Sequence, residues 1–119
     1  MTRVDIKSGE YLKTDDTEPD LVVQLLKDNN NPKDLSNGSP EVTVLIGQEQ
    51  EDTLTVDDDT TGNVTIEDAA NGEISYSWQS GDTSSKGTYI GEVRVSDTGG
   101  TVTFPNSGTF TVYIEEALN

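Results

Sequence analysis

The chain has 119 residues, of which 23 are acidic and 7 basic, and it contains neither histidine nor cysteine. This length predicts a single domain that buries roughly two-thirds of the surface exposed by its unfolded chain. Without Cys or His, the chain lacks a disulfide, a thiolate zinc site and the commonest general base. The formal charge of −16 argues against nucleic acid as a partner, because affinity for phosphates rests on clustered Lys and Arg.

The acidic residues are spread along the whole chain. A disordered, solvating chain conflicts with the regular alternation of apolar residues in the sequence. We therefore expect a folded domain adapted to very high salt, where screening over a few Å removes the self-repulsion.

Targeting signals are not predicted. Met1 is followed by polar residues instead of an apolar signal segment, and the longest apolar runs, LVV and VLI, are too short to span a membrane. We expect synthesis in a cytoplasm and no membrane partner.

The N-terminal segment differs from the rest of the chain. Residues 1–19 show a weak alternation at Val4 and Ile6 and then a polar stretch that ends in Pro19. This pattern predicts an N-terminal arm or edge strand over 1–19, ahead of a β-sandwich over 20–119.

Short strands separated by turn residues are predicted from residue 20 onward. The middle of the chain reads as DLVVQLLKD, EVTVLIG, DTLTV and VTIED, and the acidic stretch DDDTTGN at 57–63 reads as a turn. The turn SDTGG predicts a hairpin between Val95 and Val102. About eight strands at this spacing indicate an all-β sandwich.

Residues 72–95 carry the most regular pattern. Ile74, Tyr76 and Trp78 alternate before a polar segment, and a second alternating run from Tyr89 to Val95 comes after it. We predict a β-hairpin here, with Trp78 on a strand as the central plug between two sheets. The predicted structural core contains Trp78, Tyr76, Tyr89, Phe110, Ile74, Val93, Val112 and Ile114.

Candidate chemistry is sparse. Asp57, Asp58 and Asp59 offer the oxygen ligands that calcium prefers, but their spacing does not fit an EF-hand, and an acidic solvated turn is the favoured interpretation. Because the chain has 23 acidic residues, some pairs of carboxylates must lie at the spacing used in glycoside hydrolysis, so such a pair does not indicate a glycosidase. The Asp-Thr-Gly within SDTGG resembles an aspartic protease motif and is better explained as the hairpin turn. We therefore predict no catalytic residue, no cofactor and no firm metal site.

Contacts with other proteins are the remaining possibility. Tyr11 and Tyr113 are expected to be exposed, although single surface aromatics are common. Edge strands offer unpaired backbone groups that a neighbouring subunit can complete.

Ordered motifs span residues 20–115. They comprise an opening segment, a second strand, an aromatic segment, a Thr-Gly-Tyr segment and a closing T-F-P-N-x-G-x-F-x-V-x-I, and the matching residues are Leu26, Asp28, Pro32, Asp34, Leu35, Val42, Thr43, Asp68, Gly72, Tyr76, Trp78, Asp82, Thr83, Gly87, Tyr89, Glu92, Val95, Thr103, Phe104, Pro105, Asn106, Gly108, Phe110, Val112 and Ile114. In this order they resemble the immunoglobulin-like N-terminal domain of the upper baseplate protein family of tailed bacteriophages. Members of that family usually continue into further domains, whereas this sequence ends at Asn119, and basic residues that often follow the second strand are lacking here.

The resemblance implies an immunoglobulin-like β-sandwich of about seven to eight strands without a disulfide. It also implies a non-enzymatic virion structural protein, made in the host cytoplasm and most simply a tail or baseplate component that contacts other virion proteins and copies of itself. Together with the acidity, the resemblance indicates a virus of a halophilic, haloarchaeal host. Two alternatives stay open: a capsid decoration or turret protein of the same fold, and a carbohydrate-binding or adhesion module.

Overall fold

A computed structural model describes residues 1–51 and 53–118 of the chain. Asp52, which begins one predicted strand, and Asn119, which ends the predicted sandwich, lie outside the described residues. The described residues form ten strands, and they include no helix long and apolar enough to cross a membrane. The strands are β1 (Arg3–Ser8), β2 (Tyr11–Lys13), β3 (Leu21–Leu26), β4 (Glu41–Gln48), β5 (Val56–Asp59), β6 (Val64–Asp68), β7 (Glu73–Tyr76), β8 (Gly87–Asp97), β9 (Gly100–Phe104) and β10 (Phe110–Glu115).

The strand order is that of an immunoglobulin domain. One sheet has the order β1-β3-β7-β6, and the other has the order β2-β10-β8-β4-β5, with β9 also paired to β8. These orders correspond to strands A-B-E-D facing the sheet that contains G-F-C and C′. The predicted all-β, immunoglobulin-like sandwich without a disulfide is therefore confirmed.

The predicted hairpin over 72–95 is wrong. β7 pairs with β3 and β6 in one sheet, whereas β8 pairs with β4, β9 and β10 in the other. Alternation shows which face of a strand is buried but does not identify its neighbour. Both strands turn their apolar faces toward the same core from opposite sheets, so the sequence pattern looks like that of a hairpin. Trp78 lies beyond the end of β7, in the segment that crosses between the sheets, and its side chain is buried there.

Hydrogen bonds hold this crossing segment in place. The Asp82 carboxylate accepts bonds from the Tyr76 hydroxyl at 2.6 Å and from the Gln79 amide at 2.8 Å. Burial and the bond to Asp82 raise the pKa of Tyr76 above its usual value, so the hydroxyl stays a neutral donor. The Tyr89 hydroxyl donates to the Ser85 carbonyl at 2.6 Å, which is the tyrosine corner of immunoglobulin folds.

The strand predicted over DTLTV is displaced in the structure. β5 begins at Val56 and includes Asp57, Asp58 and Asp59, which the sequence pattern assigns to a turn. Backbone pairing with β4 stabilises this strand. β5 is the last strand of its sheet, and charged side chains are common on such edge strands. The turn itself lies at residues 60–63.

The first residues of the chain form edge strands of both sheets. β1 runs antiparallel to β3 in one sheet, and β2 runs parallel to β10 in the other. Gly9 makes the step between the sheets with φ of +85°, and a Cβ there would lie 2.4 Å from the Asp20 carbonyl oxygen. Only glycine fits such a close backbone approach.

The core lies between the two sheets. All eight side chains that the sequence places in the core are buried. The Tyr76 and Trp78 rings meet edge to face at 5.4 Å. Gly91 lies two residues after the corner tyrosine Tyr89, where antibody domains carry a disulfide cysteine. The Phe110 ring occupies this space instead, since a Cβ on Gly91 would lie 2.4 Å from Phe110 Cζ.

Replacing Trp78 by Ala should lower the free energy of unfolding by about 3–5 kcal/mol, because it empties a large volume in the core. Chemical denaturation measures this loss. Tyr11→Ala, at an exposed aromatic, is the control and should cost no more than about 1.5 kcal/mol. Equal losses in the two variants would contradict a central role for Trp78.

Replacing Gly91 by Ala should lower the free energy of unfolding by about 1–3 kcal/mol, because the added methyl displaces the Phe110 ring. The double variant G91A/F110L should recover part of the loss relative to the sum of the single variants, since the smaller side chain makes room. A G91A variant as stable as the parent, measured by chemical denaturation, would refute the contact.

Candidate interaction surface

The three aspartates proposed as weak calcium ligands do not converge on one point. The Asp58 carboxylate accepts hydrogen bonds from the Asn63 side chain at 2.8 Å and from the Asn63 amide at 3.2 Å. Hydrogen bonds from the Thr61 hydroxyl and amide lower the pKa of the Asp59 carboxyl. Within residues 1–51 and 53–118, no three acidic side chains are grouped as a metal site would need. Asp58 and Asp59 thus shape the turn at the end of β5.

The Asp-Thr-Gly sequence lies at the tip of a hairpin. β8 and β9 pair with Val95 opposite Val102, as the sequence predicts. The Asp97 carboxylate accepts a bond from the Gly99 amide at 2.8 Å, which is how aspartate closes a tight turn. This arrangement gives the motif a structural role.

Two tyrosines from opposite ends of the chain form a stacked pair on the surface. Tyr11 in β2 and Tyr113 in β10 are register partners, because these strands pair in parallel. Their rings lie 5.4 Å apart at an angle of 12°. Tyr11 is 69% exposed and Tyr113 is 41% exposed. We call this pair the tyrosine ridge.

The tyrosine ridge stands between two open depressions. One, which we call the Lys7 depression, has a volume of about 490 Å³ and lies between the ridge and β1, lined by Val4, Asp5, Ile6, Lys7, Glu10, Phe110 and Thr111. The other has a volume of about 690 Å³ and lies along the start of β8 and the end of β10, where Gly87, Thr88 and Ile114 contribute to its walls.

Most of the acidic residues that line the two depressions are ion-paired. The charged residues that line the two depressions, together with their ion-pair partners, comprise four of the 7 basic residues and four of the 23 acidic ones. They are Arg3, Lys7, Lys13, Lys86, Asp5, Glu10, Glu115 and Glu116. Three ion pairs join six of them: Arg3 with Asp5 at 3.2 Å, Lys13 with Glu115 at 3.0 Å, and Lys86 with Glu116 at 3.3 Å.

The sequence predicts that Tyr11 and Tyr113 are exposed, but it does not predict that they contact each other. Each tyrosine reads as an isolated surface aromatic in the sequence. Their contact depends on the parallel pairing of β2 with β10, and the hydropathy pattern carries no information about parallel pairing between the two ends of a chain.

The chain matches a solved structure and a protein family over nearly its whole length. No curated protein matches the chain. Among solved structures, murine CRIg matches the chain with a TM-score of 0.40 and 13% sequence identity over 98% of this chain and 99% of that one. The model of the BppU N-terminal domain family matches residues 6–119. Because this match covers nearly every residue, the chain belongs to the BppU N-terminal domain family, the N-terminal domains of phage baseplate upper proteins.

Proposed function

We propose that this domain is a structural subunit of the tail baseplate of a tailed virus and that it works by contacts between subunits. The observation that carries the proposal is the family match over residues 6–119. A baseplate subunit must hold its surfaces in fixed positions in a symmetric particle, where repetition makes weak single contacts strong. The two-sheet core supplies that rigidity.

The surface features support a binding role over a catalytic one. The sequence has no His and no Cys, and the candidate acids Asp58 and Asp59 are engaged in turn hydrogen bonds. The tyrosine ridge, in contrast, leaves aromatic surface in contact with solvent at a sheet edge. Aromatic side chains at such positions are typical of protein interfaces.

Antibodies against the domain, coupled to gold and viewed on intact particles by electron microscopy, should label the tail tip. Quantitative mass spectrometry of the same particles should give tens of copies or fewer per particle, the range we expect for a baseplate. Antibodies against a major head protein serve as the control for accessibility. Labelling spread over the head with hundreds of copies would contradict the baseplate proposal and favour a capsid decoration or turret protein.

We also propose that the domain is adapted to high salt. The chain carries a formal charge of −16, and five ion pairs lie within residues 1–51 and 53–118. At low ionic strength the carboxylates repel one another across the surface, whereas at molar salt the screening length falls to about 3 Å. The compact state is therefore expected to gain stability as salt is added.

The melting temperature of the domain should rise between low salt and molar KCl. A variant in which three exposed acids are neutralised, E49Q/E51Q/D57N, should show a smaller rise, because it begins with less repulsion. Thermal unfolding followed by circular dichroism gives both values. Equal melting temperatures of the parent in the two buffers would contradict salt adaptation.

A further inference from the structure

We propose that the tyrosine ridge is the contact surface for a second copy of this chain. The inference deepens the proposed function, on which it rests, by naming the surface and the partner. It assigns the ridge of each copy to the Lys7 depression of the other, in a two-fold arrangement.

The charge distribution makes this surface the most favourable one for contact with a second acidic copy. Two copies that each carry a formal charge of −16 repel one another over most of their surfaces. Repulsion is weakest where acidic residues are neutralised by ion pairs, and three of the four acidic residues that line the two depressions, Asp5, Glu115 and Glu116, are paired. A strongly basic partner would instead favour the remaining surface, where acidic residues greatly outnumber basic ones.

The relief of the surface is self-complementary. A protruding aromatic pair lies directly beside a depression of about 490 Å³, and the two share Tyr11 and Tyr113 as a common wall. In a two-fold dimer, each residue contacts its counterpart reciprocally. The ridge of one copy can therefore enter the Lys7 depression of the second copy, while the ridge of the second copy enters the Lys7 depression of the first. This arrangement covers the aromatic surface that is exposed in the single copy.

Two charged residues of the Lys7 depression favour the same arrangement. Within the part of the chain that the structure describes, Lys7 and Glu10 have no ion-pair partner, although both line the depression. In the two-fold arrangement, Lys7 of each copy pairs with Glu10 of the other. The contact thereby combines an aromatic centre with two identical charge pairs at its side, the pattern of specific interfaces.

Sedimentation equilibrium of the 119-residue chain tests the proposal. The measurement is made in molar KCl, which screens the repulsion between the two acidic copies, and is repeated at the lowest KCl concentration that keeps the domain folded, where the Lys7–Glu10 pairs are least screened. The parent should show a reversible monomer–dimer equilibrium, and Y11S/Y113S should weaken it by about tenfold or more, because the aromatic centre is lost. Val102→Ser removes an apolar side chain of similar exposure elsewhere and should leave the equilibrium unchanged. A parent that remains monomeric, or a tyrosine variant that associates like the parent, would overturn the proposal.

A charge exchange tests the two-fold geometry. K7E and E10K should each weaken self-association, because each places like charges opposite one another twice in the dimer. Mixed in equal amounts, with one variant uniformly labelled with 15N, they should form heterodimers, since every pair is then complementary, and native mass spectrometry identifies the heterodimer by its mass. Melting curves of all variants verify folding. A mixture without excess heterodimer would overturn the proposal. The labelling of intact particles does not depend on this dimer, so failure here leaves the baseplate proposal standing.

Discussion

The ring of Phe110 packs directly over Gly91, where β10 pairs with β8 in the larger sheet. β8 is the strand to which β4, β9 and β10 all pair, and Gly91 lies near its middle. With the ring of Phe110 seated directly over Gly91, β10 is held in one register on β8, because a slip by one residue would turn its buried side chains outward. The space that a disulfide occupies in antibody domains is filled here by an aromatic ring, consistent with a chain that has no cysteine.

The register of β10 in turn determines the interaction surface. With Val112 and Ile114 buried, Tyr113 must face outward between them. The parallel pairing of β2 then places Tyr11 beside Tyr113, and Gly9 allows the chain to step from one sheet to the other just before β2. The register of β10 thus places Tyr113 on the surface, and the step at Gly9 lets β2 bring Tyr11 beside it. A substitution at Gly91 or Phe110 should therefore alter the tyrosine ridge, even though the two tyrosines contribute little to the free energy of unfolding.

Much of the fold could be predicted from the sequence, because alternation reports burial directly. The core from Ile74 to Ile114, the SDTGG hairpin and the sandwich class can be inferred from period-two patterns and turn residues. Strand partners cannot be inferred from the same patterns. β7 and β8 alternate toward one core from different sheets, which makes a crossing between sheets look like a hairpin. β5 is acidic and short, so that only backbone pairing with β4 reveals it as a strand. The tyrosine ridge could not be predicted for the same reason, because Tyr11 and Tyr113 meet only through the pairing of β2 with β10.

Our central claim is that a rigid immunoglobulin-like sandwich serves a virus particle by presenting the tyrosine ridge to a neighbouring copy. A density map of the intact particle at side-chain resolution tests this claim most directly. We predict that the domain lies in the baseplate, with Tyr11 and Tyr113 buried against the Lys7 depression of a second copy. A map in which the domain lies on the head, or in which the ridge faces solvent in every copy, would contradict the claim.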